Sequence, residues 1–146
     1  MRVDFYLVEQ GGPEGALAPL ASKVLGAGGR LLVVAGEVEE RRRLSDALWA
    51  WKADSFLANG LAGGDQDAAQ PILISDRIAP DNGATYLALA DGVWREPDVG
   101  AFERVLLVFG NAGREAAREI WRMAKGREGW DCQFFRQDSG RWTKAG

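Results

Sequence analysis

Apolar and polar positions alternate along this chain in two rhythms, and the rhythms place the elements. Residues 3–8 (VDFYLV) are rich in β-branched and aromatic side chains and predict a first strand. After the break at Gln10-Gly11-Gly12-Pro13 the spacing changes. Leu17, Leu20, Ala21 and Val24 recur at helical intervals over residues 14–25, and a glycine-rich run ends the helix. Residues 30–35 (RLLVVA) form a continuous apolar run of the kind buried on both faces of a sheet. An acidic turn after Gly36 opens a second helix reaching Ala50, with Leu44, Ala47, Leu48 and Trp51 on its apolar side.

Three further strands are predicted at residues 71–75 (PILIS), 84–90 (ATYLALA) and 104–109 (RVLLVF). Residues 52–70 have no strong period and are rich in Gly, Ala and Asp, which predicts a long loop. Residues 93–103 are ambiguous and read as a loop with a short helical piece. A last hairpin is predicted from residues 131–136 and 141–144 around Asp138-Ser139-Gly140. Strands alternating with helices imply βαβ units and a largely parallel sheet, hence an α/β fold. With no internal repeat and no linker, residues 1–146 are expected to form a single domain.

One stretch stands apart. Residues 112–130 (AGREAAREIWRMAKGREGW) divide, at helical spacing, into two faces. Arg114, Arg118, Trp121, Arg122 and Lys125 make a basic face with one tryptophan, expected to point outward. Ala116, Ala117, Ile120, Met123 and Ala124 make the face expected to dock on the core. Gly126 is a natural stop, with cations in the last turn where the helix dipole favours them.

Composition narrows the chemistry. The chain has one cysteine, Cys132, and no histidine. A disulfide framework and any triad needing an imidazole base are excluded, and a zinc site lacks its usual ligands. The N-terminus has no long apolar segment of a secretory signal, and no run approaches a membrane span. A reducing, cytoplasmic setting is the expectation. Net charge is −3, yet residues 111–146 hold eight Lys/Arg against five Asp/Glu, while residues 1–110 hold ten against sixteen. That concentration suggests a local anion site.

Phosphate motifs are absent. The first turn reads G-G-P-E-G, where Pro13 removes a backbone donor and Glu14 adds negative charge where a pyrophosphate would sit. No cofactor is expected. Asp76 and Asp91, each following an apolar run, are candidate magnesium ligands for a small Rossmann-like hydrolase or nucleotide-dependent transferase, though ordinary turn residues are the favoured reading of both. Direct binding of single-stranded DNA through the basic, aromatic helix is a further alternative.

Residues 44–64 (LSDALWAWKADSFLANGLAGG) carry the most specific pattern: ALW closing a helix, a short spacer, SF, then N-x-L-A-G. Together with F-Y-L in the first strand and Ala117-Arg118-Glu119-Ile120-Trp121-Arg122 in the late helix, the chain resembles the chi subunit of the bacterial DNA polymerase III holoenzyme. The resemblance covers the whole chain. It implies a non-catalytic accessory subunit with a Rossmann-like, three-layer fold, helices on both sheet faces, and no nucleotide site.

It also implies a link between the clamp loader and single-stranded-DNA-binding protein, through capture of that protein's acidic, phenylalanine-ended C-terminal tail. DNA contact would then be indirect. Arg118, Trp121 and Arg122 match the family's tail-binding positions, Lys125 a basic position, Arg114 a further one with a gap placed after it, and Phe109 an apolar pocket residue. Trp49 and Phe56 match contacts to the psi subunit of the clamp loader, and Gly60 stands where the family often has histidine. A helicase of the iron–sulfur type is a further partner the resemblance implies.

Overall fold

A computed structural model describes residues 1–51, 57–96, 101–138 and 141–145. The elements in chain order are β1 (Arg2–Leu7), α1 (Gly12–Gly26), β2 (Leu31–Val34), α2 (Val38–Ala50), β3 (Asn59–Leu61), β4 (Ile72–Ser75), β5 (Tyr86–Leu89), β6 (Arg104–Phe109), α3 (Arg114–Lys125), β7 (Asp131–Asp138) and β8 (Arg141–Lys144). They build one eight-stranded sheet in the order β3-β4-β2-β5-β6-β1-β7-β8. Every pairing is parallel except β7 with β8, the closing hairpin. This is the expected α/β architecture.

The continuous apolar runs lie in the middle of the sheet because only two-sided burial accommodates them. All four residues of β2 are buried. One core joins α1 and α2 to one face through Leu17, Leu20, Leu44 and Leu48 over Leu31, Val33 and Ile72. A second core lies on the other face, where Ala117 and Ala124 of α3 cover Phe5, Leu107 and Phe109. The sheet is therefore sandwiched between helices, as a three-layer, Rossmann-like fold requires.

The structure corrects the long-loop expectation within residues 57–70; residues 52–56 of that stretch lie outside the described residues. Asn59–Leu61 forms edge strand β3, parallel to β4, with a short 3-10 turn at Asp67–Ala69 following it. Three residues are too few to show a period of two, and Asn and Gly are poor strand formers. Asn59 is held instead by its side chain, which accepts from Ser45 Oγ at 2.5 Å and donates to Leu57 O at 2.9 Å. Gly60 has a local reason as well. A Cβ there would meet the Gln70 side chain at 2.8 Å, so Gln70 fills the space a larger residue would need.

Candidate functional site

Helix α3 docks by a stripe at i, i+3, i+4 and i+7. Ala117 and Ala124 are buried, and Ile120 and Trp121 pack half-buried against the same core. This corrects the two-face division above. Ala116 is exposed, and Trp121 belongs to the docked side rather than the outward one. The alanines let the helix approach closely, and the large Trp121 ring fills the remaining gap. It meets the Phe5 ring edge-on at 5.1 Å and 74°, and the Phe134 ring at 6.3 Å and 86°.

Beside α3 the packing leaves a hollow of about 270 Å³. Phe5, Phe109 and Phe134 from β1, β6 and β7 form its apolar floor, with Ala117 and Trp121 as one wall and Ala145 at the outer edge. The rings of Phe109 and Phe134 lie 6.1 Å apart. Gly92 leans on this floor with φ +72°, where a Cβ would stand 3.2 Å from Phe109 Cβ. Ala145 is tied down by its amide, which donates to Phe134 O at 2.8 Å.

Two guanidiniums stand at the rim. Arg118 has no ion pair or hydrogen bond with another described residue, and Arg114 has only a long bond, Nη1 to Asn111 Oδ1 at 3.4 Å. Arg122 is placed elsewhere: it pairs with Glu119 at 2.8 Å on open surface, both side chains more than 70% exposed, and does not line the hollow. Lys125 lies outside the hollow too, its Nζ 5.3 Å from the centroid of the Trp121 ring. Of the residues singled out from the sequence, Phe109, Arg114, Arg118 and Trp121 are brought together. Phe5, Phe134 and Ala145 were missed. Each sits in a run whose sheet neighbours the sequence does not state.

Trp49, on α2, is 53% exposed. Phe56 lies outside the described residues. Neither aspartate looks like a metal ligand. Asp76 is an exposed turn residue, 3.8 Å from Arg77 Nε. Asp91 is committed internally: it accepts from both terminal nitrogens of Arg95 at 2.9 and 2.8 Å, and from the amides of Gly36 at 2.9 Å and Val93 at 3.2 Å. Burial works to raise its pKa, but the Arg95 bond and then the two amides outweigh it and hold the carboxyl below its ordinary value. This carboxylate sits past the carboxyl ends of β2 and β5, where α/β folds commonly hold a phosphate. Among the described residues no group of three or more metal-ligating side chains gathers. Burial is also the main influence on Cys132, raising its thiol pKa away from the reactive range. No helix among the described residues is long and apolar enough to cross a membrane.

No curated protein matches the chain. The family model for the DNA polymerase III chi subunit, HolC, matches residues 1–131, which include β1, the 44–64 segment and all of α3. The segment that follows, with Phe134 and Ala145, lies beyond the matched residues. The chain thus belongs to the chi subunit family of DNA polymerase III, a non-catalytic accessory subunit in DNA replication.

Proposed function

We propose that this protein links the polymerase III clamp loader to single-stranded-DNA-binding protein by capturing the acidic, phenylalanine-ended tail of that protein in the hollow beside α3. The observation that carries this reading is the pairing of an aromatic floor with two guanidiniums at its rim, Arg118 unpaired among the described residues and Arg114 held only by a long bond to Asn111. A terminal phenylalanine ring needs an apolar recess, and its carboxylate needs charge-assisted donors at the mouth. Arg118 and Arg114 supply the donors, Trp121 and Phe109 the recess. Lys125 and Arg122, further out on α3, attract acidic residues upstream in the tail. The contact with DNA is through the captured protein.

Trp49 on α2, together with Phe56, is our candidate contact for a psi subunit, and the whole chain, residues 1–146, acts as one unit in the cytoplasm. A helicase of the iron–sulfur type is a further candidate partner on the same grounds of family.

The test is a calorimetric titration with a synthetic acidic peptide ending in phenylalanine. Binding in the micromolar range, about −8 kcal/mol at 1 μM, is expected, weakening as salt rises. Arg118→Ala should lose about 1–3 kcal/mol of it. Unchanged affinity in that variant, or equal binding of a peptide without its terminal phenylalanine, would overturn the assignment. Two other readings have readouts in the same series. A large thermal shift with nucleotide and magnesium would favour an enzyme, and oligonucleotide binding at α3 would favour direct DNA contact.

A further inference from the structure

The strands that floor the α3 hollow turn their neighbouring residues to the opposite face. There, Arg2, Asp4 and Tyr6 of β1 stand in register with Arg104, Leu106 and Val108 of β6, and Tyr6 with Phe135 of β7. Beneath the end of α1 they open a second hollow of about 290 Å³.

Its base is a charged network. Asp4 is wholly buried. It accepts from Arg2 Nε at 2.9 Å on one oxygen and binds the Arg104 guanidinium with the other. Arg104 Nη2 also donates to Tyr6 Oη at 2.8 Å, and Arg2 Nη2 to Gln133 Oε1 at 3.0 Å. One carboxylate thereby orients two guanidiniums. Each keeps its other terminal nitrogen, Nη1, without a hydrogen-bond partner among the described residues. Lys23 of α1, exposed at the mouth, adds a third cation that is likewise unpaired among them.

The walls are aromatic. Trp142 meets Tyr6 edge-on at 5.0 Å, and Tyr6 stacks on Phe135 at 4.9 Å and 11°. Across the mouth, Tyr86 packs over Gly29, where a Cβ would lie 3.1 Å from the ring. The carbonyls that end α1 at Lys23, Val24 and Leu25 are taken by the amides of Ala27, Gly28 and Gly29, so they do not face the hollow bare.

We propose that this second hollow binds one nucleotide unit, its phosphate held by Arg2, Lys23 and Arg104 and its base laid against Trp142. Three cations against two carboxylates, buried Asp4 and Asp131 near Arg2, leave the hollow positive by one charge. The free Nη1 of each guanidinium and the Lys23 ammonium can each donate to a phosphate oxygen, and a ring beside them gives a base its stacking surface. Because Asp4 already fixes both guanidiniums, little ordering remains to oppose binding. The volume suits a mononucleotide rather than a longer ligand. The arginines that would hold the phosphate lie at the amino ends of β1 and β6, away from the crevice at the carboxyl ends used by dinucleotide folds. The site therefore does not require the glycine motif that the sequence lacks. Its nucleotide is either free or one unit of a single strand.

The probes are thymidine 5′-monophosphate, inorganic phosphate and a short oligothymidylate, each titrated into the full chain and followed by the indole and arginine side-chain resonances. Shifts at Trp142, Arg2 and Arg104 with the monophosphate, and weaker ones with phosphate alone, support the site. An oligonucleotide at least about tenfold tighter than the monophosphate identifies a strand as the source, and equal affinity identifies the free nucleotide. Lys23→Ala and Trp142→Ala should each weaken monophosphate binding about tenfold. Lys23→Ala should leave the acidic-peptide affinity at α3 unchanged, which separates this proposal from the tail-capture reading. No shift with about 5 mM monophosphate, equal binding of inorganic phosphate, or shifts confined to Arg114, Arg118 and Trp121 would each overturn it.

Discussion

The two hollows share strands β1, β6 and β7 yet treat their cations in opposite ways. On the α3 face, Arg114 and Arg118 stand at the rim of an apolar recess with little to hold them. On the α1 face, Arg2 and Arg104 are locked to a carboxylate with no solvent exposure. Loose cations can follow a flexible acidic peptide, but each must be ordered on binding, and salt screens them. Pinned cations give up adaptability and present fixed donors. The difference teaches that the count of arginines says less about a surface than what each is tied to.

The largest effect should come from untying the pinned pair. Asp4→Asn removes the buried charge between two guanidiniums and should cost about 3–5 kcal/mol of stability, read as a lowered midpoint in urea. Loss within 0.5 kcal/mol would erase the contrast between the faces.

Asp91 offers a third pinned case, with Arg95. Its folded pKa is depressed, so its stabilisation is present above the unfolded value of about 4 and is lost as pH falls through the folded value. Asp91→Asn should cost about 1.5–3 kcal/mol at neutral pH and should flatten the acid limb of a thermal-stability profile below about pH 4. An unaltered acid limb would show that other carboxylates govern it.

Smaller effects are expected on the loose side. Arg114→Ala combined with Arg118→Ala should leave stability within about 0.5 kcal/mol of the parent, while removing most of the salt dependence of peptide binding. A melting curve and a titration at two salt concentrations check both halves. The smallest belongs to Arg122→Ala, under about 0.5 kcal/mol in either stability or binding, because its pull on upstream acidic residues is shared with Glu119 and screened by solvent on the open surface. A larger loss of peptide affinity would bring Arg122 back to the recess.

Much of the fold was legible because burial writes itself into periodicity. The runs of β2, β4 and β6 are apolar without interruption since both sides are covered. Strand β3 was not legible, because its pairing rests on the Asn59 side chain and on the room Gln70 takes over Gly60. In the candidate site, spacing located α3 and its arginines but misassigned Trp121. A tryptophan among cations reads as outward-facing until one knows that Phe5 and Phe134 wait beneath it. The role of Asp91 was hidden for the same kind of reason: its partner amide on Gly36 is 55 residues away.

The alternation of β7 has a consequence for misfolding. Phe134 faces one hollow and Phe135 the other, set by the pairing of Phe5 with Phe134 and Tyr6 with Phe135. A one-residue misalignment of β7 against β1 would send each ring to the wrong side. Both hollows would then lose an aromatic wall together, so a slip of β7 is felt on both faces of the sheet at once.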